Sequence, residues 1–298
     1  MNLIFFGMTG ILSLAPLEGL LAGGVEIAAV IIPTEQTTTP FPRRVEPLLR
    51  PPTDLPLLNP YLSRNIVHAA WEHNVPVWEV GHLSNSSTLA LLADLSPDLI
   101  AVACFPSIFP TALLQLPRYG CLNLHPSLLP AYRGPTPLFW MARQGERQAG
   151  ETLHFMDEGA DSGDIVAQTA FPWPEGSSRP ELEQRCAWAG GQLLLAAVKQ
   201  LAQTVQIARR PQPKEGSSYF SWPRDEDLLI PTTWEARRAF NFLRAAAADW
   251  PLIVAVGEQR FPASRALGYG SDEVLGQPYR YEGNELWIQF QPGVLRIR

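Results

Sequence analysis

Apolar positions along the chain switch repeatedly between two periods. Leu3-Ile4-Phe5-Phe6 is an unbroken apolar run ending at Gly7, the pattern of a strand buried on both faces. Residues 11–22 carry apolar side chains at helical spacing and stop at Gly23-Gly24, a helix-ending signal. Val25 to Ile32 predicts a second buried strand. Strand, helix, strand in so short a span is a βαβ unit, which implies a parallel sheet with both faces covered. The same rhythm predicts helices near 61–74, 86–95 and 110–115, with strands at 75–80, Leu99–Ala103 and 120–124. Residues 151–156 and 164–170 read as strands, and 179–206 as a long helix.

The rhythm breaks twice. Eight prolines (33, 40, 42, 47, 51, 52, 56 and 60) fall between Pro33 and Pro60, where missing amide donors and fixed φ predict a long irregular loop. Arg209-Arg210-Pro211-Gln212-Pro213 followed by Gly216-Ser217-Ser218 reads as a linker. Beyond it, one helix near 232–248 precedes short strands at 252–261, 278–282, 285–290 and 293–298. Glu282-Gly283-Asn284 supplies a hairpin loop between the middle pair. The pattern therefore predicts an α/β, Rossmann-like parallel-sheet domain over 1–208, a linker at 209–217, and a small OB-like β-barrel domain over 218–298.

Composition narrows the class. Hydrophobic residues make up 46% and charged residues 17%, ordinary for a soluble globular protein. A net charge of −6 lacks the basic surplus of proteins that grip nucleic acid through phosphates. Cys104, Cys121 and Cys186 are scattered and fit a reducing compartment. No run approaches the roughly 18 apolar residues of a membrane span, and the start has no basic n-region. The expectation is a cytoplasmic protein with no membrane partner.

Two polar clusters carry candidate chemistry. Segment 119–135, YGCLNLHPSLLPAYRGP, ends a hydrophobic strand in a polar, proline-rich turn. Asn123 and His125 alternate about Leu124, so both can face one crevice at a strand end, where parallel sheets bind ligands. The second cluster, DEGADSGD at 157–164, lies between two predicted strands, with Gly159 and Gly163 permitting a tight connection. Alone it reads as a solvated acidic loop.

Together the clusters resemble the folate-dependent formyltransferases, the family of methionyl-tRNA, glycinamide ribonucleotide and sugar-nucleotide N-formyltransferases. Its signature, N-x-H-x-S-L-L-P-x-x-R-G followed by D-x-G-D-I, stands here as Asn123, His125, Ser127-Leu128-Leu129-Pro130, Arg133-Gly134 and Asp161-Ser162-Gly163-Asp164-Ile165. The likeness extends to the opening strand, to 97–110 and to PQP…G..Y at 211–219. It implies transfer of a formyl group from N10-formyltetrahydrofolate, the co-substrate, to a primary amine, with no metal. Asn123 and His125 would donate to the developing oxyanion, and Asp161 would pair with His125 and help move the proton lost by the amine. The pterin would lie against Cys104, Phe105, Pro106 and Ile108, against Ser127, Leu128, Leu129 and Pro130, and along the backbone of Asp157, Gly159 and Ala160.

Four departures bear on this likeness. Gly7-Met8-Thr9-Gly10 replaces the usual first turn and is no dinucleotide fingerprint. Ala149-Gly150-Glu151-Thr152 stands where the family reads T-G-V-T. Bulky Pro135-Thr136-Pro137-Leu138-Phe139-Trp140 follows Arg133-Gly134, either narrowing the acceptor side or packing in the core. The sequence stops at Arg298 after GVLRIR, where the tRNA enzymes carry a basic tail. Arg43, Arg44 and Arg50 could contact tRNA but read better as solvated charges diluted by Glu46 and Asp54. His68, His73, His82 and His154 read as structural. Tyr219, Phe220 and Trp222 could floor an acceptor pocket or pack at a junction. The favoured acceptor is a small amine such as an amino sugar nucleotide, with tRNA possible but disfavoured. Hydrolysis of formyltetrahydrofolate and a folate-binding module without catalysis are further alternatives.

Overall fold

The computed structural model describes residues 1–34, 41–47 and 64–298. The chain folds as two compact units. The first comprises residues 1–130, 151–169 and 183–216, the second residues 131–150, 170–182 and 217–298.

The opening follows the predicted rhythm: β1 (Leu3–Gly7), α1 (Ile11–Ala22), β2 (Ile27–Pro33). Gly23 caps α1 and Gly24, at φ 74°, turns the chain away. β1 is buried at every position because β2 and a later strand flank it, both in parallel. Among the described residues of the proline-rich stretch, one short segment differs from expectation. Arg43–Arg44, between Pro42 and Pro47, form an edge strand β3 antiparallel to β4 (Val77–Val80). Both residues keep the amide that proline lacks, so a ladder can form there. Most of the remaining loop, Arg50, and the start of the helix expected at 61–74 lie outside the described residues. The described part of that helix is α2 (Ile66–Glu72), capped by the Asn65 side chain, which accepts from the amides of Val67 and His68.

α3 (Ser86–Asp94), β5 (Leu99–Ala103), α4 (Thr111–Leu114) and β6 (Cys121–His125) continue the unit. A helix the pattern did not predict, α5 (Pro137–Gln144), follows. β7 (Gln148–Phe155), β8 (Ile165–Pro172) and the long α6 (Arg179–Thr204) come next. The strand order is β3-β4-β2-β1-β5-β6-β7-β8. The parallel rhythm ends at β6, since β7 pairs with it antiparallel. One face of this sheet is covered by α1, α2 and α6, through Leu17, Leu20, Ile66, Leu194 and Val198. The other packs against α3 and α4 through Phe6, Ile31, Leu92, Val102 and Leu113.

The second unit holds α5, α7 (Ala236–Ala246) and seven short strands: β9 (Leu229–Pro231), β10 (Ile253–Val256), β11 (Gln259–Pro262), β12 (Ala266–Gly270), β13 (Tyr279–Glu282), β14 (Glu285–Gln289) and β15 (Val294–Ile297). The strand expected at 252–261 is two, because Gly257, at φ 58°, folds it into a hairpin. β9 and β12 were not predicted; Pro231, Gly268 and Gly270 dilute their apolar signal. Pairing gives a three-stranded sheet β11-β10-β9 and a separate antiparallel sheet β12-β15-β14-β13. The core answers the question posed by Phe139-Trp140: both rings are buried, Phe139 against Phe242 at 5.2 Å and Trp140 stacked on Phe220 at 4.7 Å. They pack, and so does Phe220, while Tyr219 and Trp222 are exposed.

Candidate active site

The antiparallel pairing of β6 and β7 builds the site. Asn123 lies opposite His154, and His125 opposite Thr152. Alternation puts all four side chains on one face of the pair, while Leu122, Leu124, Leu153 and Phe155 point to the other. The 157–164 loop leaves β7 beside the start of β6 and returns Asp161 to this face. Its carboxylate Oδ1 sits 3.6 Å from His125 Nδ1, 3.7 Å from His154 Nε2 and 3.5 Å from Asn123 Nδ2. Asp161 itself holds a left-handed backbone, φ 52°. Gly163 permits the tight return, since a Cβ there would lie 2.0 Å from the Phe155 carbonyl oxygen.

His154, read from sequence as structural, is a member of this cluster. Isolated in sequence, it offered no spacing signal; antiparallel pairing with Asn123 brings it in. It is 1% exposed, and burial pushes its pKa down to about 4, so it is neutral at physiological pH. Its Nδ1 lies 2.7 Å from the Phe155 carbonyl, which fixes the proton on that nitrogen. Nε2 is then an acceptor, and Asn123 Nδ2 donates to it at 3.1 Å. This orients the Asn123 amide: one N–H is held by His154, and the second points towards Asp161 at a stretched 3.5 Å. A short-range acceptor placed in the crevice can claim that second N–H.

The other predicted residues separate into two groups. Ser127 and Leu129 are buried, and their backbone serves the turn itself. Thr152 Oγ1 donates to Ser127 O at 2.6 Å and accepts from Leu129 N at 3.1 Å, while Gln168 Nε2 donates to Leu129 O at 2.8 Å. Leu128 and Pro130 are half-buried beside them. Cys104, Pro106, Ile108, Asp157, Gly159 and Ala160 are exposed, in the loops after β5 and β7. Cys104 takes φ 57°, and Phe105 packs edge-on to Phe6 at 5.2 Å. Asp157 Oδ1 accepts from Gly159 N at 3.0 Å and Ser162 Oγ at 2.7 Å, closing a compact turn. Arg133-Gly134 belongs to the second unit: a Cβ on Gly134 would lie 2.0 Å from the Phe220 carbonyl oxygen.

His68 and His73 bond within their own helix region, to Asn65 Oδ1 and Ala69 O. Arg43 pairs with Glu79, and Arg44 with Glu46 at 3.0 Å. Among the described residues no group of three or more His, Cys, Asp or Glu is arranged to hold a metal, and no helix is long and apolar enough to cross a membrane.

Comparison with known proteins places this cluster in context. A family profile described as formyl transferase matches residues 58–198. The methionyl-tRNA formyltransferase of Syntrophus aciditrophicus is 35% identical over 243 residues, 82% of this chain and 72% of that protein. The one from Syntrophomonas wolfei is 27% identical over 300 residues, 100% of this chain and 90% of the relative. In fold, the chain is similar to an N-formyltransferase from Helicobacter canadensis solved with folinic acid and dTDP-3-aminofucose (TM-score 0.65, 17% identity, 99% of this chain and 97% of that one). It is also similar to a sugar 3-N-formyltransferase solved with dTDP and 5-N-formyltetrahydrofolate (TM-score 0.68, 16% identity, 100% and 96% covered). With the motif in sequence and these relatives beside it, the chain belongs to the formyltransferase family.

Proposed function

We propose that this enzyme moves the formyl group of N10-formyltetrahydrofolate to a primary amine, with Asn123, His125 and Asp161 as catalytic residues and His154 as the group that orients Asn123. The observation that carries this reading is the convergence of these four side chains on one face of the β6–β7 pair. The amine nitrogen attacks the formyl carbon, and the carbonyl oxygen becomes an oxyanion. Asn123 turns its second N–H from Asp161 to that oxygen, and His125 donates beside it; loss of one such donor costs about 10²–10³ in rate. Asp161 accepts the proton released by the amine. The C–N10 bond then breaks, N10 takes up a proton, and tetrahydrofolate leaves. The exposed loops at 104–108 and 157–160 offer backbone groups to the pterin edge.

The acceptor we favour is the amine of a small biosynthetic molecule such as an amino sugar nucleotide. Arg43 and Arg44, the described members of the only basic cluster singled out for tRNA, each already face a glutamate. A second reading, methionyl-tRNA, is favoured by the sequence relatives reported above, methionyl-tRNA formyltransferases at 27% and 35% identity. An acidic net charge does not exclude that acceptor. Incubation with formyl-labelled N10-formyltetrahydrofolate and separate pools of methionyl-tRNA and of amino sugar nucleotides decides between them. Label in the tRNA pool alone overturns the small-amine reading, and label in water-derived formate alone overturns both.

A further inference from the structure

The segment expected to be a plain linker is stitched to the loop that carries Asp161. Ile165 N donates to Arg210 O at 2.8 Å, and Arg210 N donates back to Ile165 O at 2.9 Å, an isolated antiparallel bridge. Arg210 Nη2 donates to Gln168 Oε1 at 2.7 Å, and Arg209 lies 3.5 Å from Asp164. Past this bridge, Gln212 reaches into the loop. Its single amide nitrogen donates to Asp161 O at 2.8 Å and to Gly163 O at 2.7 Å. Both N–H bonds of one side chain are thus spent on the backbone either side of Ser162. The first of those carbonyls belongs to Asp161 itself, whose φ of 52° is the unfavourable left-handed form for a side chain larger than glycine. All of these residues belong to the first unit.

We infer that Gln212 is a positioning residue: it clamps the Asp161 turn and so holds the Asp161 carboxylate against Asn123, His125 and His154. This role rests on the proposed function, in which Asp161 handles the amine proton. Asp157 Oδ1 closes the turn from its exposed side, accepting from Ser162 Oγ at 2.7 Å, whereas Gln212 holds the carbonyls of Asp161 and Gly163 from the linker segment. A carboxylate on such a loop must be fixed from behind, because a misplacement of about 1 Å in a reacting group can cost ~10²-fold in rate. Pro211 and Pro213 flank Gln212 and stiffen the segment that presents it. Glutamate at this position keeps the size but replaces the amide donor with an acceptor, which opposes both carbonyls.

The test uses the full chain, N10-formyltetrahydrofolate and whichever acceptor gains label in the pooled assay. Gln212→Ala and Gln212→Glu should each lower the single-turnover rate by about ten- to hundred-fold, with the affinity for 5-formyltetrahydrofolate, an unreactive probe, much less changed. In an Asp161→Asn background the same substitutions should change the residual rate by no more than about two-fold, because the group they position is gone. Amide exchange at 161–165 should quicken in both variants while the rest of the sheet keeps its protection. The role is overturned if Gln212→Glu keeps the wild-type rate, or if the loss is equal in both backgrounds, which marks general support of the fold. A wild-type chain that transfers no formyl group removes the functional reading as well, and exchange at 161–165 then reports the clamp separately.

Discussion

β7 carries two ionisable side chains in nearly adjacent positions, Glu151 and His154, and sends them to opposite faces. Both are buried, at 2% and 1% exposure, and burial pushes both towards the neutral form. Each nitrogen of His154 has a partner: Nδ1 donates to the Phe155 carbonyl, and Nε2 accepts from the Asn123 amide. Glu151 lies on the side of α6, in hydrogen-bond contact with Cys186, and its Oε2 has no partner among the described residues. Desolvation alone therefore does not mark a functional group. What separates the two is whether the neighbours exploit the neutral state, as Asn123 exploits the Nε2 lone pair of His154, or merely impose it. Glu151 stands where the resembling family reads valine, and it is buried beside Leu124 and Gly190.

The sharpest break of the comparison is at the site face. Asp161→Ala or His125→Ala should lower turnover by about 10³-fold or more, with the unfolding transition in place. Near-normal turnover in either variant would end the assignment of that residue. A smaller loss is expected at His154. His154→Leu fills a similar volume but removes the acceptor that orients Asn123, so kcat should fall by roughly ten- to hundred-fold while folate affinity holds. If His154→Leu is fully active, His154 is only a core residue and the two faces of β7 are alike.

Much of this was legible in sequence, and the omissions have physical causes. β5 was read at its observed bounds, and α1, β1 and the ends of α6 within a residue or two, because uninterrupted apolar runs and glycine caps act locally. Asn123 and His125 were legible as a pair because residues two apart on one strand share a face. His154 was not, since its partnership depends on antiparallel register with β6, a long-range property. Gln212 is visible in sequence only as part of a motif; a glutamine between two prolines gives no hint that its amide reaches two carbonyls some fifty residues earlier. α5 was overlooked although Pro137 opens it and Gly145, at φ 76°, closes it. The bulk of Phe139-Trp140 is compatible in sequence with a narrowed acceptor side or with core packing, and both rings fill a core.

The smallest expected effect falls on the Glu151 face and is one of stability rather than rate. In the unfolded chain Glu151 ionises near its ordinary value of 4.5; in the folded chain burial holds its pKa well above that. Between the two values the native state keeps a proton that the unfolded state has released. Stability is therefore greatest below the unfolded pKa and declines as pH rises through the interval, by about 1.4 kcal/mol per unit. His154 acts in the opposite direction: its folded pKa of about 4 lies below the ordinary 6.5, so its share of stability is present above that value and fades as pH falls towards 4. Glu151→Gln removes only the first slope. It should leave kcat within about two-fold, since it lies on the face away from the site, and stabilise the protein by roughly 1–3 kcal/mol at neutral pH and above. The gain should shrink as pH approaches the unfolded carboxylate range, where wild type is itself neutral. Glu151→Val should show the same trend. Chemical unfolding of wild type and both variants across a pH series reads this directly: curves that stay parallel from acid to alkaline pH would mean that Glu151 is ionised in the fold, and that its face is wetter than the buried position indicates.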